Sequence, residues 1–357
     1  MIDSGLSRRI YGCMIGGAVG DAMGFPLEGK PYAYIRERWG RVEEPRVREN
    51  TEGWKPSVDG PVYTDDTVMK HMVCEAVFRS EGRIKIEAAA DVWRETINDF
   101  EEWTWWLNTR VVAAKLKWNP LLDLREVGRD SIPCNDAAMI IGPVGMVNAG
   151  DPETAAREAW DVSALWQHGS SRECAAAMAA AHAQALASDA TVDSVIAAAQ
   201  SYSPTLAPHV DKALELVKDC RDTDEFTERY YEGYLDFPNH EFWMGGDNAP
   251  PDWSFGADPL EVCTEALAFF KMADGDPKDA IIGGINFGRD CDTIAGIAGA
   301  LSGALRGPDA IPADWIGAIL EANPTPDIKH YSEQLYECLT ANMAAHRKRL
   351  DTMEEHH

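Results

Sequence analysis

Glycine recurs at every fourth position in the apolar stretch formed by residues 7–22, at Gly12, Gly16 and Gly20. Residues four apart lie on one face of an α-helix, so these glycines form a strip that another helix can approach closely. Each glycine inside a helix costs about 1 kcal/mol relative to alanine, and tight packing or a functional contact must offset that cost. Residues 294–305 are almost all small or aliphatic, which predicts a second, central and buried helix.

Helical spacing of apolar residues dominates the rest of the chain, and strand-type alternation is scarce. We therefore predict an all-α fold, and one domain over residues 1–357 because no linker, repeat or low-complexity tract interrupts the chain. Two long irregular stretches, 24–61 and 234–258, are rich in Gly, Pro and Trp, and such loops usually carry binding function. The predicted helices cover residues 7–22, 65–77, 86–99, 152–164, 171–188, 192–199, 210–218, 259–273 and 277–285, a segment from 292 or 293 to 305, and a final pair after 313.

Two acidic clusters stand just ahead of helical patterns, far apart in the chain. One is the segment 64–67, Thr-Asp-Asp-Thr, and the other is the segment 290–293, Asp-Cys-Asp-Thr. If the fold brings them together, four carboxylates cannot all stay ionised without a cation. Oxygen ligands of this kind suit Mg²⁺, Mn²⁺ or Ca²⁺. Each cluster alone could equally be an ordinary N-terminal helix cap, so the metal hypothesis depends on their meeting.

Charge and cysteine content narrow the class of protein. The formal net charge of −26 disfavours nucleic acids and anionic membrane surfaces as partners, because both would repel the chain. The eight cysteines show no C-x-x-C spacing, so a zinc ribbon is not expected. We find no secretory signal pattern at the N-terminus and predict a cytoplasmic protein with reduced thiols.

Several motifs, in order, resemble the ADP-ribosylglycohydrolase family. They are Gly16-Gly-Ala-Val-Gly-Asp-Ala-Met-Gly-Phe-Pro-Leu-Glu28, Tyr63-Thr-Asp-Asp-Thr67, Cys134-Asn-Asp-Ala-Ala-Met139 with Gly142-Pro-Val-Gly145, Val162-Ser-Ala-Leu-Trp-Gln-His168, and Gly288-Arg-Asp-Cys-Asp-Thr-Ile-Ala-Gly-Ile-Ala-Gly-Ala300. The resemblance extends over about residues 7–307 and leaves C-terminal helices in 308–357. Any one motif would be weak evidence, whereas the ordered set is specific.

The resemblance implies an orthogonal multi-helix bundle with a dinuclear metal cleft holding two Mg²⁺ or Mn²⁺ ions. It also implies cleavage of an N- or O-glycosidic bond at the anomeric carbon of an ADP-ribosyl or similar group. We expect the ions to hold the ribose hydroxyls and a metal-bound water to act as nucleophile. The implied metal ligands are Thr64, Asp65, Asp66, Asp290, Asp292 and Thr293, and the implied acid–base residues are Glu28, Asp65 and Asp292.

Three further side chains are candidate substrate contacts. Asp136 and Arg289 both stand where the family usually has glycine; Asp136 could instead form a local turn, and Arg289 could pair with a substrate phosphate or balance the local acidity. His168 could line the cleft or be a satisfied core residue. Cys291 and the pair at 166–167 also depart from the family pattern. The tryptophans at positions 103, 105, 106, 243 and 253 are candidates for ring stacking, although most such clusters belong to a core.

These features leave three hypotheses for function. The first is a metal-dependent hydrolase that removes ADP-ribose from a modified protein side chain. The second is an N-glycosidase of a small nucleoside-like or ribosylated metabolite. The third is a non-catalytic protein that binds ADP-ribose or a nucleotide. Intact candidate ligands favour the first two over the third, and the departures from the family pattern leave the substrate open.

Overall fold

The structure, a computed structural model, describes residues 5–47, 60–96, 107–235, 254 and 256–354. Within these ranges 17 α-helices form and no strand does, which confirms the predicted all-α fold. The helices are α1 Gly5–Gly24, α2 Tyr32–Trp39, α3 Asp65–Arg79, α4 Ile86–Thr96, α5 Leu107–Trp118, α6 Asp136–Ile140, α7 Gly142–Met146, α8 Pro152–Ser163, α9 Ser170–Ala185, α10 Val192–Ser201, α11 Ala207–Asp219, α12 Thr223–Gly233, α13 Pro259–Met272, α14 Pro277–Phe287, α15 Cys291–Arg306, α16 Ala313–Ala322 and α17 Ile328–Glu354.

The centre of the fold is the antiparallel pair formed by α1 and α15. A Cβ atom on Gly12 would lie 2.4 Å from the carbonyl oxygen of Gly303, and one on Gly16 would lie 2.3 Å from that of Gly299. At the other end, a Cβ on Gly24 would lie 2.3 Å from the Cα of Asp292. Such distances exclude any side chain, so the glycine strip allows the two backbones to touch. The predicted close helix approach is therefore present, and its partner is the second small-residue helix.

The remaining helices surround this pair. Helix α14 packs on α15 and α1, and α13 lies between α15, α14 and α11. The alanine-rich α9 contacts α6, α7, α8 and α10. Helix α3 packs on α4, α6, α7 and α17, and α17 also lies against α1, so the C-terminal helix is joined to the core. None of the helices described is long and apolar enough to cross a bilayer.

Several helices were not predicted from the sequence. Helix α2 lies within the stretch 24–61 that was predicted to be irregular, and it buries only Tyr32 and Ile35, too few residues to give a helical period. Helices α6 and α7 have five residues each, which is shorter than two turns, and α5 and α12 were also missed. Helix α15 begins at Cys291, one or two residues before the start predicted at 292 or 293.

Candidate metal centre

Three chain segments converge at one end of the central helix pair. Because α1 and α15 are antiparallel, the end of α1 at Gly24 lies beside the start of α15 at Asp292. The start of α3 joins them through Asp21, a fully buried residue in the last turn of α1. Its carboxylate accepts hydrogen bonds from the backbone N–H of Thr64 at 2.9 Å and from the backbone N–H and hydroxyl of Thr67 at 3.0 and 2.5 Å. The two acidic clusters therefore lie near each other: the charge of Asp290 acts on Asp66 and that of Asp66 acts on Asp292, although neither Asp65 nor Asp66 belongs to the closest group of carboxylate oxygens.

Three carboxylates define the centre of the candidate site. One oxygen each from Glu28, Asp290 and Asp292 lies within 4.8 Å of the other two. Asp290 accepts a hydrogen bond from Asn135 Nδ2 at 2.5 Å and another from the Thr293 hydroxyl at 3.1 Å. Asp290 and Asp292 are buried, whereas Glu28 is only partly buried. The cluster is thus set into the protein and faces solvent on the side of Glu28.

Burial and mutual repulsion act on the acids of this site. Burial raises the pKa of Asp292 well above its ordinary value, and the nearby Glu28, Asp290 and Asp66 raise it further. The pKa of Asp66 is also raised well above its usual range, by burial and then by the charges of Asp21, Asp65 and Asp290. The buried Lys70 opposes that shift. These acids are close enough to perturb one another, so a bound cation would stabilise their ionised forms.

Helix ends alone would not favour a cation. Helices α3 and α15 both begin at the site, and the start of a helix carries a positive partial charge of roughly half a unit. Helix α1 ends there with the opposite sign, because it runs antiparallel to α15. The negative end of α1 therefore offsets part of the electrostatic repulsion between a cation and the starts of α3 and α15. The buried carboxylates supply the remaining negative charge that a cation would need.

The donor set fits a hard divalent cation. All candidate ligands are oxygens, which suits Mg²⁺ or Mn²⁺. The oxygen Oδ1 of Asp292 is buried and has no hydrogen-bond partner among the described residues, a costly state that an ion would relieve. The Thr64 hydroxyl accepts the Asp66 N–H at 3.2 Å, so this segment caps α3, as the alternative interpretation of the cluster predicted, and metal binding by it stays a prediction. Asp65 is half-buried at the edge of the site.

The three predicted substrate contacts have different surroundings. Arg289 is 2% exposed and its guanidinium pairs with Glu261, which does not favour a contact with a substrate phosphate. Asp136 is 2% exposed, and its carboxylate accepts the N–H of Ala137 at 2.7 Å. His168 is half-buried, with Nδ1 lacking a hydrogen-bond partner among the described residues. Substrate contact by these residues stays a prediction, and the five tryptophans named above lie outside the described residues.

Two residues that the sequence analysis did not select hold the site together. Asp21 aligns the start of α3, and Asn135 donates to Asp290. A signal existed for each: Asp21 is an acid within an otherwise apolar, glycine-rich helix, and Asn135 stands in the motif beside Asp136. Buried polar residues in such contexts need partners, and here the partners are the candidate ligand segments.

Comparisons with other proteins agree with this architecture. The sequence model of the ADP-ribosylglycohydrolase family matches residues 3–345, which includes most of α17. The uncharacterized protein YegU of Escherichia coli K12 is 27% identical over 351 residues, covering 92% of this chain and 96% of the relative. An uncharacterized protein of Archaeoglobus fulgidus is 24% identical over 350 residues, covering 93% and 97%. A solved "ADP-ribosylglycohydrolase-related protein complex" shares the fold, with a TM-score of 0.59, 18% identity and coverage of 94% of this chain and 99% of its own.

Proposed function

Because the chain belongs to the ADP-ribosylglycohydrolase family, we propose that it is a metal-dependent hydrolase that cleaves the glycosidic bond at the anomeric carbon of an ADP-ribosyl group. The substrate would be an ADP-ribosylated protein or a small ribosylated molecule. The observation that supports this proposal most is the group of Glu28, Asp290 and Asp292, whose oxygens lie within 4.8 Å of one another beside an unsatisfied buried carboxylate oxygen.

Divalent cations would be held by the two acidic clusters. Glu28, Asp290 and Asp292 would bind one ion, and Asp65 and Asp66, with the hydroxyls of Thr64 and Thr293 nearby, would bind a second. When bound, such ions supply a Lewis acid that can hold the ribose hydroxyls and polarise water. Glu28 is thereby a ligand as well as a candidate acid–base group, which differs from the purely catalytic role expected from the sequence.

The chemistry assigned to the protein's own residues is proton transfer and positioning. A water oxygen forms a bond to the anomeric carbon while the glycosidic C–N or C–O bond breaks. The electron pair of the broken bond leaves with the departing group. A carboxylate on the solvent side, Glu28 or Asp65, accepts the proton of that water. The same proton then passes from that carboxylate, directly or through solvent water, to the departing group, so one water is consumed and the carboxylate returns to its ionised state. Asp21 and Asn135 hold the two clusters in register during the step.

Hydrolysis by the purified protein would test this proposal. ADP-ribosylated protein and small ribosides should be incubated with the wild-type chain in Mg²⁺, in Mn²⁺ and in chelator, with product release followed by chromatography. We expect release of ADP-ribose only with metal, and a loss of at least about a hundredfold in Asp292→Asn because a ligand charge is removed.

Asp314→Asn is the matched control, because Asp314 is an exposed acid in the first turn of α16, away from the cluster. It should retain wild-type turnover. Activity on small ribosides alone would favour a nucleosidase-like enzyme. Binding of ADP-ribose without turnover of any substrate, or full activity in chelator, would contradict the proposal.

A further inference from the structure

Arg289 occupies a backbone conformation that favours glycine. Its φ is +58°, and that of the preceding Gly288 is +82°. A side chain other than Asn or Asp in the left-handed region is uncommon and costs on the order of 1 kcal/mol, so the surroundings must hold Arg289 there. Glycine would adopt the same backbone without that cost. The arginine of this chain therefore calls for a specific contact that outweighs it.

That contact is a buried, two-point ion pair. Arg289 Nε and Nη2 bind the two carboxylate oxygens of Glu261, at 2.5 and 3.0 Å, and Nη1 donates to the hydroxyl of Ser254 at 3.1 Å. Glu261 is fully buried in α13, and Arg289 is 2% exposed. Arginine suits this geometry because its planar fork matches a carboxylate in a way that lysine cannot. The side chain thus fixes the start of α15 to α13.

The backbone of Arg289 makes a second connection, to the segment that carries Glu28. Its N–H donates to the carbonyl of Lys30 at 2.8 Å, and its own carbonyl accepts the N–H of Gly29 at 2.8 Å. The carbonyl of Gly29 in turn accepts the N–H of Ser254, at 2.9 Å. A Cβ on Gly288 would lie 2.2 Å from the carbonyl oxygen of Lys30, so the backbone at 288–290 is in direct contact with the backbone at 28–30.

We propose that Arg289 is a positioning residue that joins Glu28 to Asp290 and Asp292. Its side chain anchors the turn at 288–290 on Glu261, and its backbone holds the turn at 28–30 against it. Glu28 lies next to Gly29, and Asp290 follows Arg289, so both acids take their places from this one residue. The inference rests on the proposed function only in assigning a cation to these acids.

Two variants separate positioning from simple loss of stability. Arg289→Gly accepts the backbone conformation but leaves Glu261 buried without its partner, whereas the double variant with Glu261→Gln removes that unpaired charge. We expect Arg289→Gly to unfold at lower temperature and the double variant to recover much of the loss. Both should bind Mn²⁺ at least about tenfold more weakly than the wild-type chain in calorimetry, as expected when a group that orients metal ligands is lost.

Amide hydrogen exchange gives a readout that needs no metal. Exchange should become faster in residues 28–30 and 288–290 of both variants and should not change in α8–α10. Asp274→Gly is the matched control, since Asp274 also has a positive φ, of 47°, and lies on the exposed turn after α13, where it pairs with Arg306 at the end of α15 opposite to the acids. It should change neither Mn²⁺ affinity nor exchange at the site.

Wild-type Mn²⁺ affinity in the double variant, or unchanged exchange at 28–30, would overturn the positioning role. If the wild-type chain itself bound no Mn²⁺, the metal part of the proposed function would fail, and the exchange result would still decide whether Arg289 holds the two turns together.

Discussion

Asp136 is a buried carboxylate outside the candidate metal ligands that should respond to pH near neutrality. Burial raises its pKa to about 7, although hydrogen bonds from Gln167, Cys134, Ala137 and Asn108 oppose the shift. The unfolded chain releases this proton near the ordinary value of 3.8, whereas the folded chain keeps it until about pH 7. The contribution of Asp136 to stability is therefore fully present at low pH and is lost as the pH rises through this window.

Replacing Asp136 by Asn should remove that pH dependence. Relative to the wild-type chain, the free energy of unfolding of Asp136→Asn should rise by about 1.4 kcal/mol per pH unit between pH 5 and 6.5, then level off above pH 7. Urea unfolding at a series of pH values measures this difference. Asp130→Asn is the control for loss of an aspartate at an exposed position, measured at the same pH values. A difference for Asp136→Asn that does not change with pH would show that its carboxylate is not what titrates.

The local sequence predicted some residues of the candidate site but not the role of others. The acids at 64–67 and 290–293 stood out because each segment places two carboxylates beside threonine just ahead of a helical pattern. For Arg289 the sequence left a contact with a substrate phosphate or a balance of the local acidity open, since neither its positive φ nor its partner Glu261 is visible in the sequence. Glu261 is 28 residues away, and only the packing of α13 beside α15 brings it there. Roles that depend on such long-range partners need the fold.

Among the elements, the α1–α15 pair determines whether the site can form. Its glycine strip ends at Gly24, against the backbone of Asp292, so the closeness of the two helices also sets the distance between Glu28 and the α15 acids. The four-residue glycine period predicted close packing, because it requires a partner surface without side chains. It could not identify α15 as that partner or the antiparallel direction, since neither follows from the spacing within one helix.

Adding one methyl group to this contact should damage both stability and the site. Gly16→Ala would place its Cβ 2.3 Å from the carbonyl oxygen of Gly299, and rigid backbone cannot move aside as a side chain would. We expect a loss of about 1–3 kcal/mol or more in the free energy of unfolding, together with weaker Mn²⁺ binding.

Gly317→Ala is the matched control for this substitution. Gly317 lies within α16 and would have no heavy atom within 4 Å of an added Cβ, so alanine should stabilise the chain by up to about 1 kcal/mol. Chemical denaturation measures both effects. Equal and favourable shifts for the two variants would contradict close backbone contact between α1 and α15.

For the molecule as a whole, the sequence predicted the all-α fold class better than it predicted how the helices pack. The all-α fold followed from helical periods in long segments such as α9 and α13, whereas α2, α6 and α7 were missed because they are short or bury few residues. The approach of the two acidic clusters, at 64–67 and 290–293, was inferred from charge and from the family resemblance, and Asp21 accounts for it by joining the start of α3 to the end of α1. No pattern in the sequence predicted that α1 runs antiparallel to α15 and ends beside the acids.

The stability of the whole chain should depend on metal, because the cation would bind the folded acids far better than the dispersed ones. Mn²⁺ at one hundred times its dissociation constant should stabilise the folded state by about 2.7 kcal/mol and raise the unfolding temperature by several degrees. Whether Asp292→Asn is more or less stable than the wild-type chain should depend on the presence of metal. In chelator the variant should be at least as stable as the wild-type chain, since burial and neighbouring acids no longer act on a charge at position 292.

In saturating Mn²⁺ the wild-type chain should be more stable than Asp292→Asn, because the variant has lost a metal ligand and gains little stability from the ion. Calorimetric or fluorescence melting of both proteins, with Asp314→Asn as a control for the loss of an acid at a helix start, measures the two orders directly. An ordinary helix cap predicts the opposite pattern: Asp292→Asn would lower the unfolding temperature by the same amount with and without metal, as the control does. The sign of the change in chelator therefore distinguishes a metal centre from a pair of capped helices.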